Sequence, residues 1–92
     1  MRLVLADYGR MFATRERARE ILSPLVWDQS PCELDFDGVT LSPSFAAELI
    51  VGLARSCALV LIEGASEHSA YLVQSLVEKF GMTDKFRIVQ VA

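Results

Sequence analysis

The side chains able to do chemistry are few and scattered in this chain. Its one histidine, His68, stands in the run GASEHSAYL near the start of a helical pattern, where a lone histidine is ordinarily a surface residue. The cysteines, Cys32 and Cys57, lie far apart, match no metal spacing and have no histidine nearby, so they read as reduced core thiols. No serine has the strand-to-helix context of a nucleophile elbow. Glu33, Asp35 and Asp37 alternate along one strand face and could form an acidic cluster for a cation. Hard cations need several converging oxygens, usually from loops, so an exposed polar sheet face is the simpler account. Glu63-Gly64-Ala65-Ser66 has the outline of a strand–Gly–helix anion site, yet lacks the glycine spacing of a dinucleotide fingerprint and the Gly-Lys-Ser/Thr of a P-loop. No catalytic set, metal or cofactor is expected.

Residues 39–48 (VTLSPSFAAE) are the remaining candidate. Ser42 and Ser44 flank Pro43 at the start of a helix, just after a strand, at the edge where α/β domains tend to place ligands. Pro suits the first helical position and Ser the cap before it, so Ser42 is accounted for by capping. Ser44 is not, since one cap suffices. A phosphate there would carry about −1.5 to −2 charges and would be tolerated by the helix N-terminus. Val39, Leu41, Ser42, Ser44, Phe45 and Glu48 are therefore expected to form a flat, partly apolar contact surface for a partner.

The elements that must position these residues follow from the apolar periodicity. Residues 2–6 read as a strand, which could continue after a turn at Tyr8-Gly9. Thr14 caps a helix with its stripe at Ala18, Ile21, Leu22, Leu25 and Val26, ending or kinking near Leu22 because Pro24 cannot donate a hydrogen bond. Residues 32–37 alternate strictly, Cys32, Leu34 and Phe36 against Glu33, Asp35 and Asp37, as in a strand covered on one side. Gly38 ends it. The helix opened by Ser42 buries Phe45, Ala46, Leu49, Ile50 and Leu53, and its Gly52 marks the close approach of a neighbour. Residues 58–62 (ALVLI) are continuously apolar, as in the most central strand. Ser66 caps a third helix with its stripe at Leu72, Val73, Leu76, Val77 and Phe80, closed by Gly81. Residues 86–91 make the last strand. The order β-α-β-α-β-α-β predicts one small α/β domain spanning 1–92, with a mainly parallel four-stranded sheet and three helices mostly on one face.

Composition limits what such a domain does. Hydrophobic residues make up 52% of the 92, and nine Lys and Arg face twelve Asp and Glu, for a net charge of −3. The one basic cluster, Arg10, Arg15, Arg17 and Arg19, is interleaved with Glu16 and Glu20 and reads as a solvated helix face, which argues against nucleic acid. No apolar run approaches a membrane span, and Asp7 and Arg10 cut short the N-terminal run, so neither a membrane anchor nor a signal peptide is expected. Cytoplasmic residence is the expectation.

The segment Leu34-Asp35-Phe36-Asp37-Gly38-Val39-Thr40, followed by Ser42-Pro43-Ser44-Phe45-Ala46-Ala47-Glu48-Leu49, resembles the STAS-like domain family of bacteria. That family is an offshoot of the sulfate-transporter and anti-sigma-factor-antagonist domains. Thr14-Arg15-Glu16-Arg17-Ala18 is similar to its Ser/Thr-Arg-Glu-x-Ala helix start, and the resemblance covers roughly residues 1–55. It implies a regulatory protein-binding module without enzymatic activity, acting on a kinase-like ATPase or another regulatory protein; a homodimer is a further option that does not rest on the resemblance. In antagonist relatives a serine in an Asp-Ser-Ser/Thr-Gly turn is phosphorylated, and Ser44 aligns with its first hydroxyl. Here Pro43 replaces the aspartate and Phe45-Ala46 replace Ser/Thr-Gly, which shifts the expectation towards plain protein contact. The alternative is a small-ligand or nucleotide sensor using the helix N-termini near Ser44 and Ser66; an enzyme completed across a homodimer ranks last.

Overall fold

Period-two alternation puts Cys32, Leu34 and Phe36 on the inner side of a strand, and all three are buried. The computed structural model describes residues 1–25 and 27–89. It runs β1 (Arg2–Val4), a 3-10 turn (Leu5–Asp7), β2 (Met11–Phe12), α1 (Arg15–Leu22), β3 (Cys32–Asp35), β4 (Thr40–Leu41), α2 (Pro43–Ser56), β5 (Val60–Glu63), α3 (Glu67–Lys79) and β6 (Phe86–Ile88). The main sheet has the order β1-β3-β5-β6, and every pairing in it is parallel. Each helix crosses between neighbouring strands. Right-handed crossovers that step in one direction leave the three helices on one face, α1 against α2 and α2 against α3. The expected α/β architecture is present.

The core lies between the sheet and that helical layer. Leu3, Leu34, Val60 and Ile62 face Phe45, Leu49, Ile50, Leu53, Val73 and Val77. Among the described residues no helix covers the other sheet face, where Arg2, Glu33 and Arg87 are exposed. The continuously apolar run 58–62 therefore misleads in one respect: β5 is interior in strand order, but Leu61 on the open face is only half-buried.

Several boundaries differ from the periodicity. The first strand stops at Val4 because the Tyr8 amide donates to the Leu5 carbonyl at 2.9 Å and closes a turn. The β3 strand stops at Asp35, whose Oδ1 accepts from the Asp37 amide at 2.8 Å. That local bond offers the backbone a turn in place of the ladder, and Gly38 follows at φ 74°. The chain then pairs again: β2 and β4 form a separate two-stranded parallel ribbon, Met11 opposite Thr40 and Phe12 opposite Leu41. α1 ends at Leu22 as Pro24 requires, and the Trp27 indole donates to the Leu22 carbonyl at 3.2 Å. In α3, Ser69 and Ala70 join Val73 and Val77 in the buried stripe, while Phe80 sits at the helix end and is exposed. Val26 and the end of the last expected strand, residues 90 and 91, lie outside the described residues.

Candidate functional site

The candidate segment is built around one hydroxyl. Ser42 caps α2: its Oγ accepts from the Phe45 amide at 3.1 Å and donates to the Ala13 carbonyl at 2.8 Å. The Ser42 amide in turn donates to the Phe12 carbonyl at 2.8 Å. These bonds tie the start of α2 to the chain entering α1, whose own cap is Thr14, with Oγ1 accepting from the Arg17 amide at 3.2 Å. Ser42 is occupied by the fold, and Pro43 takes the first helical position.

The apolar half of the expected contact surface is corrected by burial. Val39, Leu41 and Phe45 are 7%, 3% and 0% exposed, so they cannot meet a partner. Their inward direction has two causes. In the ribbon, Leu41 lies beside Phe12 and both turn into the core, which sends Thr40 outward. In α2, Phe45 begins the stripe that continues through Leu49, and its ring meets Phe12 with centroids 4.8 Å apart. Glu48 is engaged as well: its Oε1 accepts from Arg19 Nε at 2.9 Å, bridging α2 to α1. That bond and the charge of Glu48 raise the Arg19 pKa.

What remains outward is a smaller strip. Thr40, Pro43 and Ser44 are exposed, and Ser44 takes no part in the bonds that fix the helix start. Beside them stands Met11, which the sequence pattern did not single out. This residue is 82% exposed on β2, directly opposite Thr40, with the exposed Tyr8 three residues upstream. The alternation of Met11 out and Phe12 in is a strand signal, but two residues are too short for a period to be read.

The other sequence candidates are placed apart from this strip. Glu33 and Asp35 lie on the open sheet face, where Arg2 donates to Glu33 Oε2 at 3.0 Å and Asp35 Oδ2 at 3.1 Å, with Glu63 Oε2 at 3.6 Å. The bond to Glu33 is the main cause that raises the Arg2 pKa. Asp37 leaves this face for the turn. Among the described residues, no group of three or more His, Cys, Asp or Glu side chains is arranged to hold a metal ion. Gly64 is required by contact: at φ 70° a Cβ there would come within 3.0 Å of Asp35 Oδ1 and the Asp37 backbone nitrogen. Ser66 caps α3 by accepting from the Ser69 amide at 3.1 Å. With Asp35, Asp37 and Glu63 around that loop, an anion would meet like charge, which weighs against a nucleotide there. His68 is exposed.

Cys32 and Cys57 are both buried, where β3 begins and α2 ends. Burial raises both thiols, and Cys57, further raised by the neighbouring Cys32, is pushed up to about 11. Neither is a thiolate nucleophile at neutral pH. A surface cleft of ≈ 300 Å³ lies along the packed α1 and α2, lined by Leu22, Trp27, Gly52 and the Arg19–Glu48 pair.

Comparison with models of known protein families, with curated proteins and with solved structures found no match to this chain.

Proposed function

We propose that this chain is a non-enzymatic regulatory module that binds another protein through Tyr8, Met11, Thr40, Pro43 and Ser44. The observation that carries this reading is Met11, a large apolar side chain held 82% exposed on a paired strand beside the start of α2. Exposing it contributes nothing to folding, and a flexible thioether suits a contact that must fit a partner's pocket. The resemblance to STAS-like domains around Leu34–Leu49 supports the regulatory part, and with it a cytoplasmic kinase-like ATPase or similar regulatory protein as partner. Ser44, at the second helical position, is a contact residue here; a phosphate on it would sit favourably at the helix N-terminus and alter the same strip.

Affinity purification of the tagged chain from its native cells tests the reading. Wild type and Tyr71→Asp, altered at an exposed site on α3, should recover the same partner, and Met11→Asp should lose it. Equal recovery by all three, or no partner with any, overturns it.

A further inference from the structure

We infer that Met11 is a site of selective, reversible oxidation to the sulfoxide, and that the fold is indifferent to this change. The three methionines are placed very differently. Met82 packs against the core and is half-buried, its amide held by the Val77 carbonyl at 2.9 Å. Met1 is 46% exposed and its amino group donates to the Pro31 carbonyl at 3.1 Å. Met11 is 82% exposed. A peroxide must approach the thioether along a sulfur lone pair, so access orders the three with Met11 first. In the reaction the sulfur attacks one peroxide oxygen, the O–O bond breaks, an S–O bond forms and water leaves. Reduction by a reductase thiol pair returns the oxygen as water and leaves a disulfide on the reductase.

The fold tolerates the change because β2 is anchored from its other side. The ribbon is held by Phe12 inside, its ring tilted against that of Phe45, and by the Arg10 and Phe12 carbonyls accepting from the Thr40 and Ser42 amides at 2.8 Å each. None of these bonds uses the Met11 side chain, so a sulfoxide on this exposed residue breaks none of them. Any effect on partner binding rests on the reading proposed above; the oxidation itself does not.

The test treats the purified 92-residue chain with dilute hydrogen peroxide and follows each methionine by peptide mass. Met11 should oxidise ahead of Met1 and at least about fivefold faster than Met82. The singly oxidised protein should keep the wild-type melting temperature, and methionine sulfoxide reductases should restore its mass. Oxidation of Met82 as fast as Met11, or a lowered melting temperature after oxidation at Met11 alone, overturns the inference. Neither result bears on whether Met11→Asp loses the partner, so the two readings fail separately.

Discussion

Ser42 and Ala13, far apart in sequence, are joined by a hydrogen bond of 2.8 Å from the serine hydroxyl to the alanine carbonyl. Through it the start of α2 is fixed to the strand that leads into α1, and the two helices begin side by side. The neighbouring Ser44, one helical position beyond Pro43, has no such duty.

The two serines should therefore separate cleanly in stability measurements. Ser42→Ala removes both a helix cap and the bond to Ala13, and should cost about 1–2 kcal/mol. Ser44→Ala should change stability by less than about 0.5 kcal/mol, as exposed substitutions do. Urea denaturation of both variants decides it; similar losses would mean that Ser44 also supports the fold.

Gly52 and Leu22 should be energetically coupled. A Cβ at Gly52 would stand 2.6 Å from Leu22 Cδ1, so α1 and α2 approach this closely only because the side chain is absent. In a Leu22→Ala background, Gly52→Ala should stabilise by about 0.5–1 kcal/mol through helix propensity. In the wild-type background the displaced leucine should cancel most of that gain. A double-mutant cycle with equal increments in both backgrounds would show that the contact does not matter.

This coupling also shows what could be read in advance. Gly52 within a helical stripe signals a close neighbour, Ser42-Pro43 signals a helix start, and the alternation from Cys32 to Phe36 fixes which side of β3 is inside. Each is a local pattern with a local cause. The exposed strip proposed for contact is not legible in this way, because its definition is not local. Val39, Leu41 and Phe45 are apolar, and composition alone does not say whether an apolar residue beside a cap faces core or solvent. Only the pairing of Met11 with Thr40, across a long stretch of chain, turns Leu41 and Phe12 inward and leaves Met11 outside. The turn that precedes this second pairing is made by the Asp37 amide on Asp35 Oδ1, the Val39 amide on the Phe36 carbonyl and Gly38 at positive φ, none of which an apolar pattern shows.

The thiols give a pH prediction. Cys57, at about 11 in the folded chain against an ordinary thiol value of 9.0, holds its proton longer folded than unfolded, and Cys32 shifts the same way. Their contribution to stability is thus complete below about pH 9 and is lost as pH rises towards about 11. The urea midpoint should fall across that window, and less steeply in Cys57→Ala. At pH 8 a disulfide-exchange reagent should leave both thiols untouched in the native protein and titrate both in urea. Prompt native reaction would contradict their burial.

The most direct measurement for the proposed function is site-specific photo-crosslinking in the native cell. A benzophenone amino acid is placed at position 11 in one chain and at position 71, on the exposed side of α3, in another. A discrete higher-mass adduct with one other protein is expected from position 11 and none from position 71. No adduct from position 11, or the same adducts from both positions, would contradict it.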